Sequence, residues 1–214
     1  MNTISLQNTL PEVFVARTDV RSDVWRQELT FEKGRSYLVE AQSGTGKSSL
    51  CSYLTGQRRD YQGTILFDGH DIRSLGVSDW VETRQKHLSH MYQELRLFPE
   101  LTAMENVQIK NRLTAWKEEL DINAWFDALG IGDKKGAKVG RMSFGQQQRV
   151  ALIRALVQPF DFLILDEPIS HLDDENARTM AEILLAEVGK QEAGLIVTSI
   201  GKHMDIAYDE VLHL

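Results

Sequence analysis

The residues able to do chemistry fall in three short stretches of this 214-residue chain. In the stretch AQSGTGKSS, residues 41–49, Gly44 and Gly46 let the backbone curl so that successive amides point at phosphate oxygens. Lys47 is placed to reach the β- and γ-phosphates, and the Ser48 hydroxyl suits Mg²⁺. Gln42, Ser43 and Thr45 complete the loop, and Ser49 adds a further donor. The usual spelling of such a loop opens on glycine, whereas Ala41 stands here. Alanine costs almost nothing if φ is negative and about 1–2 kcal/mol if the backbone is left-handed, so the cradle is expected to survive either way.

The second stretch, FDFLILDEP over residues 160–168, is an apolar run ending in Asp166 and Glu167. A central strand of this kind delivers two carboxylates to the sheet edge where open α/β folds bind ligands. Asp166 is read as the Mg²⁺ holder and Glu167 as the group that orients and polarises the attacking water. The third stretch, RMSFGQQQRVALIRAL over residues 141–156, pairs Ser143 with Gln146 as a capping box. Two readings stay open for it. One is a capped surface helix; the other turns Ser143 and the Gly145 amide towards a γ-phosphate presented by another molecule, because one nucleotide is already enclosed by the first loop.

These groups need a scaffold. Short apolar runs predict strands over 36–41, 63–67, 160–165 and 195–199, and helical patterns occupy 47–54, 146–157 and 176–188. Alternation of the two predicts an α/β fold with a mostly parallel core sheet. Residues 77–140 are richer in charge, with weak strand signals, and are read as a helical insertion in which Trp116, Trp125, Phe126 and Leu129 form a small packed core. The core proper, with an N-terminal β region, then comprises 1–76 and 141–214. A net charge of −7 argues against nucleic acid as partner. The single cysteine, Cys51, suits a reducing compartment, and no apolar run is long enough to span a bilayer. The chain is expected to be cytoplasmic.

Taken in order, the motifs resemble those of the nucleotide-binding subunits of ATP-binding cassette (ABC) transporters, over nearly the whole chain. SGTGKSS resembles the Walker A loop, LILDEP the Walker B strand with its glutamate, and MSFGQ, residues 142–146, the signature LSGGQ. SHLD, with Ser170 and Asp173, is similar to the D-loop, and Gln93 in HMYQELRLFPELTAMENV matches the Q-loop glutamine. Within the family the resemblance is to the lipoprotein-releasing, macrolide-export and cell-division cassettes. It implies a P-loop ABC ATPase fold, ATP and Mg²⁺ as cofactors, and Mg²⁺ held by Ser48, Gln93 and Asp166. Catalysis would rest on Glu167, Lys47 and Gln93. The implied assembly is a cassette dimer in which Ser143, Phe144, Gly145 and Gln146 of one copy cover the ATP of the other. The implied partner is a membrane-spanning subunit docked near the helical insertion, with Gln93 coupling it to the nucleotide and the cassette peripheral on the inner face of the membrane.

Departures from the family pattern are as informative. Phe144 replaces the first signature glycine, and Ile169 stands where a hydroxyl residue usually follows the proline. Ser199 occupies the place of the switch histidine, with His203 four residues on as the other candidate. Phe14 and Trp25 are the upstream aromatics available to stack on adenine, Trp25 being the better core residue. The leading reading is an ATPase that drives a membrane partner; the alternative is an ATP-binding conformational switch with little turnover. A P-loop small-molecule kinase would leave MSFGQQQR without a purpose, and a soluble cassette for DNA repair or ribosomes is disfavoured by the acidic charge.

Overall fold

Every residue of β7 (Phe162–Asp166) and β8 (Gly194–Ser199) is buried, as befits strands covered on both faces. With β3 (Ser36–Glu40), β6 (Leu88–Met91) and β9 (Glu210–His213) they form a parallel sheet of order β6-β7-β8-β3-β9 in the computed structural model, which describes residues 1–214. Alternate residues serve different cores. Leu163, Leu165, Leu195 and Val197 pack into a cluster with α5 (Phe144–Leu156) and α6 (Asp174–Gln191), whereas Phe162, Ile164 and Ile196 join α1 (Lys47–Leu54) in a second cluster on the opposite face.

An antiparallel sheet closes that second face. Its order is β2-β1-β4-β5, from β1 (Thr3–Pro11), β2 (Glu28–Glu32), β4 (Tyr61–Phe67) and the short β5 (His70–Asp71). The strand expected over 63–67 therefore belongs here and not to the parallel sheet. Alternation in β2, with Leu29 and Phe31 buried and their neighbours exposed, is what a sheet with one wet face requires.

The helical region starts later than the sequence indicates. After α2 (Val77–Glu82), β6 pairs in parallel with β7, from Leu88 opposite Phe162 to Met91 opposite Leu165, and so completes the main sheet. The expectation of a helical insertion from residue 77 is corrected to that extent. The strand LSHM is four residues long, and its polar Ser89 is fully buried because its hydroxyl donates to Ala155 O at 2.5 Å. The short helices α3 (Ala103–Asn111) and α4 (Glu119–Ala128) follow. Phe126 and Leu129 are buried as expected, with Trp125 packed at their edge. Trp116 is instead 45% exposed, its ring 5.6 Å from the Lys117 ammonium.

Candidate functional site

The loop between β3 and α1 answers the question posed by Ala41. Its backbone is not among the left-handed residues, and its N–H donates to Ser199 O at 2.9 Å, so alanine sits there without strain. The curl falls to the glycines, with φ of +83° at Gly44 and +101° at Gly46. A Cβ on Gly46 would also lie 3.0 Å from the Phe14 ring and 3.1 Å from that of Trp25, so both conformation and space demand glycine.

Trp25 is committed to this floor. It is 1% exposed, and its Nε1–H donates to Thr45 O at 2.9 Å. Of the two aromatic candidates, Phe14 is the one that borders the loop's cavity of about 350 Å³, although Arg17 lies over its ring at 4.7 Å.

Lys47 gathers the other expected groups. Its ammonium donates to Asp166 Oδ1 at 2.5 Å and to Gln93 Oε1 at 3.1 Å, and it lies 2.7 Å from Glu167 Oε1. Burial pulls the ammonium's pKa down, but the two carboxylates outweigh that and hold it above the ordinary lysine value. Thr198 Oγ1 donates to the same Asp166 oxygen at 2.7 Å, which fixes the carboxylate. Glu167 adopts a left-handed φ of +51°, and its N–H donates to Thr198 O at 3.1 Å. This sharp turn ends the strand and swings the second carboxylate towards Lys47. Beneath them on α1, Cys51 is 2% exposed, and burial raises its thiol pKa.

The proposed magnesium ligands fit the ion by chemistry and place. Ser48, Gln93 and Asp166 line one cavity of about 110 Å³, and all three offer oxygen donors, the hard ligands that Mg²⁺ prefers. The segment after Gln93 is held by Asn106. Its fully buried amide accepts from Phe98 N–H at 2.7 Å and donates to Thr102 O at 2.9 Å.

The start of α5 is built differently. The capping box forms: Gln146 N–H donates to Ser143 Oγ at 3.3 Å, and Ser143 N–H donates to Gln146 Oε1 at 3.0 Å. No hydrogen bond or ion pair ties Ser143, Phe144, Gly145 or Gln146 to the Lys47 cluster.

Phe144 is 41% exposed, and its ring packs edge-on to His171 with centroids 4.4 Å apart. His171 Nδ1 lies 2.9 Å from Ser170 Oγ, and Asp173 accepts from Asn176 N–H at 2.9 Å to cap α6. Sequence reasoning passed over His171, because the only signal for it is through-space contact with the unusual Phe144.

Neither candidate for the switch position makes a hydrogen bond or ion pair with Asp166 or Glu167. Ser199 is 1% exposed and its hydroxyl donates to Lys202 O at 2.6 Å. His203 turns away, with Nδ1 at 3.7 Å from Glu40 Oε1.

Comparisons with known proteins agree with this geometry. The family model described as ABC transporter matches residues 26–170. The lipoprotein-releasing system ATP-binding protein LolD of Syntrophotalea carbinolica is 31% identical over 201 residues, covering 92% of this chain and 87% of that protein. YclH of Bacillus subtilis, an uncharacterized ABC transporter ATP-binding protein, is 30% identical over 175 residues, 80% of this chain and 76% of its own. The fold resembles the ATP-binding cassette MJ0796, solved as a dimer in a post-hydrolysis state bound to ADP and Pi, with a TM-score of 0.74 at 20% identity over 92% of this chain and 87% of that one. Matched by that family model over more than half of its length, the chain belongs to the ABC transporter family.

Proposed function

We propose that this chain binds and hydrolyses ATP and that closure of two copies around the nucleotide drives a separate membrane-spanning subunit. The observation that carries the reading is the convergence of Gln93, Asp166 and Glu167 within 2.5–3.1 Å of the Lys47 ammonium, beside a curled glycine loop at a helix N-terminus. Triphosphate entering this cradle replaces the carboxylates as counter-charge to Lys47, freeing Glu167. Water then attacks the γ-phosphorus, the bond to the bridging oxygen breaks, and ADP and inorganic phosphate leave. Glu167 orients that water and takes up its proton. Mg²⁺, held by Ser48, Gln93 and Asp166, would neutralise charge on the phosphate oxygens. Ser143 and the Gly145 amide, free of the cluster in their own chain, are available to cover the γ-phosphate of a second copy.

The helical part that follows β6, residues 92–140, is assigned as the lobe next to which the membrane subunit docks. Gln93 lies at its root, where nucleotide and partner are coupled. No helix is long and apolar enough to cross a membrane, so attachment to the inner face of the membrane would come through that partner. A switch with little turnover is the second reading, favoured by the engagement of Ser199 and the outward turn of His203. Steady-state phosphate release by wild type and Glu167→Gln, with calorimetric Mg·ATP binding of both, separates the two. The ATPase reading expects turnover in the wild type only, with binding in both. Equal inactivity with retained binding establishes the switch, and loss of binding in the wild type rejects both readings.

A further inference from the structure

Neither position at the end of β8 brings an imidazole to the phosphates, yet one stands at the other reader. His171 touches two residues at the start of α5: its ring meets Phe144 at 4.4 Å, and its carbonyl lies 3.2 Å from where a Gly145 Cβ would be. These residues flank the amide assigned above to the second copy's γ-phosphate. His171 is exposed and lies outside the hydrophobic core. We infer that His171 supplies across the dimer interface the imidazole that position 199 lacks, facing the γ-phosphate bound by the partner copy. The inference rests on the dimeric ATPase reading.

The neighbouring hydrogen bonds orient the ring for that task. Gln148, itself 1% exposed, donates from Nε2 to Ser170 Oγ at 3.2 Å. Ser170 Oγ in turn lies 2.9 Å from His171 Nδ1, a hydrogen bond that either atom can donate. With the Ser170 proton in that contact, the ring hydrogen sits on Nε2, the donor proposed for the γ-phosphate. Phe144 holds the ring edge-on, which gives the bulky signature residue a purpose that glycine could not fill. Such a donor stabilises charge developing on the γ-phosphate oxygens without taking a proton from the water, a duty left to Glu167.

The test uses the full chain. His171→Ala is expected to lower kcat roughly a hundredfold, the usual size for one lost donor to a developing anion, with Mg·ATP affinity unchanged. Ser199→His in the His171→Ala background returns an imidazole from within the same copy and is expected to recover at least tenfold. Mixing His171→Ala with Glu167→Gln creates one composite site with both groups intact, so the mixture should exceed the summed rates of the two variants. Independently of turnover, the His171 imidazole NMR signal in Glu167→Gln should move on adding Mg·ATP, and not when Ser143→Arg blocks closure. An unaltered kcat in His171→Ala overturns this inference alone. So does a loss that neither Ser199→His nor mixing repairs, which would mark a packing role. A wild type without turnover overturns the ATPase reading and this inference with it.

Discussion

Two helices in this molecule begin with residues proposed to read phosphate, and they differ in what they find within their own chain. The start of α1 is answered internally. Lys47, Asp166, Gln93 and Thr198 come from four separate segments and satisfy one another in a site where Lys47 is 5% and Asp166 4% exposed. The start of α5 is answered only by its own cap, while Phe144 and His171 lie at the surface. The first arrangement can hold a ligand alone; the second, on the proposed reading, is half of a site. On the proposed reading, a single chain carries one finished and one unfinished phosphate reader, which would give assembly a physical reason to depend on nucleotide.

Substitutions can break that contrast. Lys47→Ala should have the largest effect, lowering Mg·ATP affinity at least a hundredfold by calorimetry, since the remaining loop has no other cation in hydrogen-bond contact with the acidic pair. Ser143→Arg should leave affinity in the isolated chain within about twofold and yet abolish the ATP-dependent dimer in light scattering of the Glu167→Gln background. Equal loss of affinity in the two variants would mean that both helix ends serve the same nucleotide. Phe144→Gly removes the ring against His171 and places glycine in the first turn of a helix; thermal melts should show a loss of about 1 kcal/mol.

A smaller effect is a pH dependence confined to the inner region. Both ring nitrogens of His90 are buried without a hydrogen-bond partner, and burial pushes its pKa down to about 4 from 6.5. The folded state therefore binds fewer protons than the unfolded state between these values, and stability falls as pH drops through that window. His90→Leu should flatten this limb of the melting temperature profile, whereas variants at the start of α5 should leave it intact.

The same contrast governs what could be read from the sequence. The α1 site was legible because Gly44, Gly46, Lys47 and Ser48 are contiguous and their geometry is local; even the tolerance of Ala41 followed from backbone physics. Asp166 and Glu167 were legible because a fully buried strand has a recognisable apolar run. The sheet's edge was not, since β6 has four residues and two of them, Ser89 and His90, are polar. Trp116 was misplaced because helical spacing does not say where a helix stops, and the residue falls before α4. His171 was illegible for the opposite reason to Lys47: its meaning comes from a ring on another helix and not from its neighbours in sequence.

The lone sulfhydryl beneath Lys47 has a practical consequence. Thiol-selective reagents need a solvated thiolate, so Cys51 is shielded for as long as the cradle above it stays shut. Its labelling rate is a clock for local opening at the floor of the nucleotide loop. With no second thiol to confuse the signal, the native chain carries its own reporter of how nucleotide tightens that floor.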